Sequence, residues 1–146
     1  LVALEARTSP AEVALAVLGP PPLPAAASAS PRGGFVILWS EASIGGYALD
    51  RVLSQTQIVR LEARSARLWP PGPYALGVAA ARAAEAVVAS GRRRLSALTL
   101  LGGEFGVRNR IGALPVLLDR RGIADVRVPT LNTRERVLVE TALGGT

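Results

Sequence analysis

Three arginines at helical spacing, Arg60, Arg64 and Arg67, are the best candidates in this sequence for a surface that binds an anion or an acidic partner. A solvated helix face presents the same stripe, so the arginines alone decide nothing. The second arrangement is Pro20-Pro21-Pro22-Leu23-Pro24, continued by Ala, Ser and Gly to Gly34. Clustered prolines favour polyproline II, and the continuation favours a tether. Such a segment suits docking in an aromatic groove, but a plain surface loop is the favoured reading. The sequence has no His and no Cys, which removes the commonest general base, the commonest transition-metal ligand, thiolate chemistry and disulfides. Neither a metal nor a cofactor is expected on this chain. Gly102-Gly103-Glu-Phe-Gly106 is glycine-rich, but it falls between strands and offers no helix N-terminus to a pyrophosphate.

Composition bounds the rest. At 146 residues the chain is expected to form one domain, 1–146, with a core of its own. Apolar residues at 49% and charged residues at 19% point to a compact fold rather than disorder. The net charge of +6 comes from arginine alone, since none of the 17 basic residues is lysine. Such charge favours non-specific attraction to anions. With 4% aromatic residues, base stacking is poorly served, and no specific nucleic acid is expected as partner. No run reaches the roughly 18 to 20 apolar residues of a membrane span, which leaves peripheral membrane association open; the cytoplasm is the favoured compartment, though no residue specifies one. The sequence also lacks Met, so Leu1 is not expected to be a translational start.

The elements that must position these residues follow from periodicity. Leu95 to Leu101 and Ile111 to Leu118 read as apolar strands, and Val126-Arg127-Val128 alternates as a half-buried strand should. Asp119-Arg-Arg-Gly122 has the Asp and Gly of a type I turn, which predicts a hairpin. Glu12 to Leu18 and Gly33 to Ser40 read as buried strands. A helix is predicted from Asp50, its cap, to Leu68, with Ile58, Leu61 and Leu68 on the apolar face. A second, Tyr74 to Ser90, carries Ala and Val around its circumference, which predicts burial on most sides. Gly91 ends it, and Arg92-Arg93-Arg94 suits its negative end. A third begins at Asn132-Thr-Arg-Glu135, which has capping-box spacing, and buries Leu138, Val139, Ala142 and Leu143.

Gly103-Glu-Phe-Gly-Val107, then Gly112-Ala-Leu-Pro-Val116, then Arg121-Gly-Ile123 and a final helix resembles the carboxyl-terminal domain of the lactate/malate dehydrogenase family. There a Gly-x-Tyr-Gly-Ile element, a Gly-Val-Pro strand, an Asn-Gly-Ile turn and a terminal helix follow in that order. Trp39-Ser40 and Ala42-Ser-Ile-Gly-Gly-Tyr-Ala-Leu49 resemble its Trp-Ser strand and Ile-Gly-Gly turn. The resemblance implies an α+β fold with antiparallel strands packed against three main helices. It departs over residues 20–34, where a Pro/Ala/Ser-rich loop replaces the family's catalytic loop. Alignment on Gly19 sets Pro21 at the family's catalytic histidine and Leu23 at the following aspartate. In the family that imidazole exchanges a proton with substrate as hydride moves to or from the nicotinamide, and proline has no titratable group. Pro71-Gly72-Pro73 stands where the family has a substrate-side Gly-x-Thr. The family's Rossmann half, with its Gly-x-Gly-x-x-Gly turn, does not occur in this sequence.

Three functions are thus expected, in order. The first is not an enzyme: a pseudoenzyme domain serving as a structural or accessory subunit, its partners other protein subunits in a hetero-complex or homo-oligomer. Arg60, Arg64, Arg67, Pro20, Pro21, Pro22, Leu23 and Pro24 are its candidate interaction surface. The alternative is the carboxyl-terminal half of an NAD-dependent malate/lactate dehydrogenase-like protein whose Rossmann half is not in this chain. Against its activity stands the cost of losing a well-placed acid/base group, about two to four orders of magnitude in rate. The third is an arginine-rich module for an anionic surface, recognisable by a steep salt dependence.

Overall fold

The computed structural model describes residues 1–21, 34–68, 71–89 and 93–144. Pro22, Leu23, Pro24, Gly91 and Arg92 lie outside the described residues. From the N-terminus, helix α1 (Val2–Ala6) and a 3-10 turn at Pro10–Glu12 lead into two short strands, β1 (Val13–Ala14) and β2 (Val17–Leu18). The single strand predicted over 12–18 is therefore split. Ser9 caps the turn that Pro10 opens, which takes Glu12 out of extended geometry, and the two strands then join different sheets. Strand β3 (Val36–Ile37) returns antiparallel onto β2, shorter than the run predicted from Gly33. Strands β4 (Ser43–Ile44) and β5 (Tyr47–Ala48) form a hairpin whose first strand pairs with β1. Its two loop residues, Gly45 and Gly46, have φ of 57° and 84°, as a type I′ turn requires.

The segment predicted as one helix from Asp50 to Leu68 is two. Helix α2 (Leu49–Val52) stops at Leu53, which is extended (φ −117°, ψ 141°), and α3 (Gln55–Ala66) starts afresh. Ser54 is the cap: its hydroxyl accepts from the Gln57 amide at 3.4 Å, and the Gln57 side-chain oxygen accepts from the Ser54 amide at 2.9 Å. Asp50 lies in the first turn of α2 instead. Ile58 and Leu61 are buried, whereas Leu68, past the helix end, is 61% exposed.

Helix α4 (Pro73–Val88) starts with Pro at its first position, where a missing amide costs nothing. Strands β6 (Arg93–Gly102), β7 (Arg108–Asp119) and β8 (Gly122–Val126) follow as an antiparallel sheet in that order, and α5 (Thr133–Gly144) closes the described chain. Arg93 and Arg94 thus open a strand rather than end a helix. The Asp119–Gly122 turn is present, with the Arg121 amide donating to Asp119 Oδ1 at 2.7 Å. The third strand lies earlier than predicted, because pairing with β7 begins at Gly122 and ends at Val126 opposite Val116.

Apolar side chains collect in three clusters. Val2, Ile44, Leu49, Leu53, Ile58 and Leu61 join α1, β4, α2 and α3. Leu18, Val36, Leu38, Leu101, Leu114, Val139 and Leu143 join β2, β3, the large sheet and α5. Gly112 lets α5 approach that sheet: a Cβ there would lie 3.0 Å from Leu143 Cδ2 and 3.1 Å from Leu101 Cδ1. The third cluster is small, with Ala86, Val116 and Leu118 at its centre and Ala83 and Val87 against them. It uses only the later turns of α4. The burial on most sides predicted for that helix is not observed: every residue from Pro73 to Arg82 is exposed in the described chain. The architecture is α+β, antiparallel strands with three longer helices, α3, α4 and α5.

Candidate functional site

The residues that flank the Pro-rich segment, Gly19 and Gly34, meet in one narrow neck. Gly19, with φ 157°, ends β2, and its carbonyl accepts from the Ala113 amide of β7 at 2.7 Å. The returning chain passes so close that a Cβ on Gly19 would lie 2.5 Å from the Gly34 carbonyl oxygen and 2.9 Å from Phe35 Cα. Only glycine fits there, since both obstacles are backbone. Strand β2 itself is also anchored: the Val17 amide donates to Ser96 Oγ at 2.9 Å. Pro20 and Pro21 emerge from this neck half-buried. Pro21, at the place where the resemblance sets a histidine, is therefore carried on a rigid base formed by β2, β7 and Gly34.

The arginine stripe sits elsewhere, on α3 over the first apolar cluster. Arg60, Arg64 and Arg67 are all exposed. Arg64 faces Glu5 at 3.9 Å, with side chains 50% and 20% exposed, and the Gln57 side-chain Nε2 also donates to Glu5 Oε1 at 3.3 Å. An ion pair this open contributes at most about 1 kcal/mol, but it offsets the middle charge of the stripe. Arg134 of α5 adds a contact to Glu62 of α3 at 3.6 Å. Among the described residues, no hydrogen bond or ion pair joins Arg60, Arg64 or Arg67 to Pro20 or Pro21. The arginines of the predicted interaction surface lie on α3, and Pro20 and Pro21 follow β2.

Two carboxylates carry more structure than sequence reading assigned them. Glu135 is buried. Its carboxylate accepts from the Ser40 amide at 3.0 Å, the Ser40 hydroxyl at 2.5 Å and the Asn132 amide at 3.3 Å, while its own amide donates to Asn132 Oδ1 at 2.8 Å. The capping-box spacing predicted the second half of this; the tie to Ser40 joins segments far apart in the chain and has no local signal. Glu104 bends back over a tight turn, accepting from the Gly102 amide at 2.6 Å and the Gly103 amide at 3.1 Å. Its carboxyl is held below the usual carboxylate range, first by its own backbone amide and then by that of Gly102, with slight burial opposing and the Gly103 amide adding. The same turn places Phe105 at φ 53°, an uncommon conformation for a bulky residue. Phe105, Val128, Pro129, Leu131, Arg136 and Glu140 line a cleft of about 510 Å³ beside it. The groups available to chemistry in the described chain are therefore carboxylates, guanidinia and hydroxyls.

No family model matches the chain, and no curated protein matches it. Solved structures do. The malate dehydrogenase of Cryptosporidium parvum superposes with a TM-score of 0.77 at 22% identity, covering 98% of this chain and 47% of that one. The malate dehydrogenase of Aeropyrum pernix superposes with a TM-score of 0.76 at 16% identity, again over 98% of this chain and 47% of that one. The fold is shared with one half of malate dehydrogenases. At these identities the likeness establishes fold, and the chain spans about half the length of the structures it matches. The finding also corrects the expectation that the chain is not an enzyme. That expectation was drawn from a missing histidine, but the whole described architecture is one that enzymes carry, and nothing in it separates this chain from an enzyme lineage.

Proposed function

We propose that this chain is the carboxyl-terminal half of an NAD-dependent malate/lactate dehydrogenase-like protein, working with a dinucleotide-binding half that lies outside it. The carrying observation is the superposition of 98% of the chain on 47% of two malate dehydrogenases. Two features of the chain support the same reading. Gly19 and Gly34 bring the two flanks of the segment between them together at a defined point beside β7. The long helix α4 exposes the apolar side chains Tyr74, Leu76 and Val78 in the described chain.

In this reading the half contributes position. The neck, the β6-β7-β8 sheet and the Glu135 tie fix one wall of a cleft, and the partner half brings the nicotinamide to it. With no histidine in the sequence, the proton that accompanies hydride transfer comes from another group or from water. The test is steady-state reduction of oxaloacetate and of pyruvate with NADH by the complete gene product, beside NADH binding followed by fluorescence. Saturable NADH binding with turnover of either 2-oxo acid is the expected result. A complete protein that binds no dinucleotide would overturn the proposal.

A further inference from the structure

The cleft beside Phe105 has three walls, and each is fixed by bonds of its own. The first is the turn that carries Phe105 at φ 53°, closed by the Glu104 carboxylate on the Gly102 and Gly103 amides and by the Val107 amide on the Glu104 carbonyl at 3.0 Å. A bulky residue in that conformation is strained, and such strain collects where a side chain is aimed at a ligand. The second wall is the segment from Val128 to Leu131. It is held by the Arg127 amide, which donates to the Pro115 carbonyl at 2.8 Å, and by the Thr130 amide, which donates to Glu41 Oε1 at 3.0 Å. The third is α5, whose first turn Glu135 ties to Ser40. Arg136 and Glu140 stand one turn apart on that helix, and both line the cleft. Both are exposed, and among the described residues neither side chain has a hydrogen bond or an ion pair, with the other or with any neighbour. Arg before Glu at this spacing is the less favourable order for pairing along a helix. A guanidinium and a carboxylate are thus both available to the same space.

We propose that this cleft binds a free α-amino acid with an apolar side chain. Its volume of about 510 Å³ lies in the range of small-molecule sites, which are mostly apolar with a few convergent polar groups. Phe105, Val128, Pro129 and Leu131 supply the apolar part. Arg136 can offer two parallel N–H groups to a carboxylate, and Glu140 can accept from an ammonium. A dicarboxylate would set its second negative charge against Glu140, and an amine would set its charge against Arg136. A zwitterion satisfies both groups and leaves no charge over. The proposal stands apart from the dehydrogenase reading, since it uses no residue of the Gly19–Gly34 neck and no dinucleotide.

The test is isothermal titration calorimetry of the complete gene product with L-leucine, beside 4-methylpentanoate and 3-methylbutylamine, which keep the side chain and lose one ionic group each. The expected result is saturable binding of L-leucine, with Kd below about 1 mM and each analogue at least about tenfold weaker. No saturable binding of L-leucine, or an analogue that binds as tightly, would overturn the proposal. Arg136→Gln and Glu140→Gln are each expected to weaken L-leucine about tenfold or more, with denaturant unfolding unchanged because neither side chain is bonded within the described chain. Discrimination locates each charge. Glu140→Gln should erase the preference for L-leucine over 4-methylpentanoate, and Arg136→Gln the preference over 3-methylbutylamine. Variants that bind and discriminate as the wild type does would overturn the site.

Discussion

Helix α3 turns a largely polar face outward and buries Ile58 and Leu61, whereas α4, which follows it, turns apolar side chains outward from Pro73 to Ala81. The two helices differ in who completes them. Helix α3 is capped by its own Ser54 and Gln57, packed on α1, β4 and α2, and braced at Glu62 by Arg134. Helix α4 has no side-chain cap bond, and it touches the sheet only through its later turns. Within the described chain the apolar face of α3 is covered, and the first turns of α4 are exposed. Amphipathicity is thus a record of partners: a one-sided helix needs one neighbour, and a helix apolar all round needs enclosure.

Substitutions in the finished region are expected to have the largest effects. Leu61→Ala empties a fully buried site and should lower stability in denaturant unfolding by about 2–5 kcal/mol. Glu135→Ala leaves the Ser40 amide without its carboxylate partner and should cost about 2–3 kcal/mol in the same assay. In the complete protein, Leu76→Ala is expected to cost about 1–3 kcal/mol if α4 is enclosed. A change inside the roughly 0.5 kcal/mol typical of free surfaces would erase the contrast between the helices. Ser54→Ala removes only a cap and should cost about 1 kcal/mol.

The smallest effect is a pH dependence at Glu104. Its carboxyl titrates lower in the folded chain than in the unfolded one, where an ordinary value is about 4.3. Its stabilisation is therefore fully present above that value, and it is lost as pH falls through the lower folded value. Glu104→Gln should flatten stability against pH in that acid window. An unchanged acid slope in the variant would mean that the turn is not held by this charge.

Much of this was legible in the sequence where the signal was local. The β6-β7 run, the Asp119–Gly122 turn, the Asn132–Glu135 box and the buried face of α5 follow from periodicity and turn chemistry, because each is decided by neighbours within a few residues. The break at Leu53 was misread because Ile58, Leu61 and Leu68 keep helical spacing across a longer span; the Ser54-x-x-Gln57 box was the signal that outranks it. The exposure of α4 could not be read, since composition shows that a helix expects burial and does not show which body supplies it. The Ser40–Glu135 tie and the Gly19–Gly34 neck are contacts between distant segments, invisible to any local pattern. As for the surface predicted from Arg60, Arg64, Arg67 and the prolines, the arginines are exposed on α3, whose Ile58 and Leu61 join the first cluster, while Pro20 and Pro21 follow β2, whose Leu18 joins the second.

The intact mass of the native polypeptide tests the account most directly. The account predicts a chain about twice the 15.2 kDa of this one, its additional residues carrying the glycine-rich turn of a dinucleotide-binding half. A native mass of 15.2 kDa would contradict it, because the protein would then carry no dinucleotide-binding half.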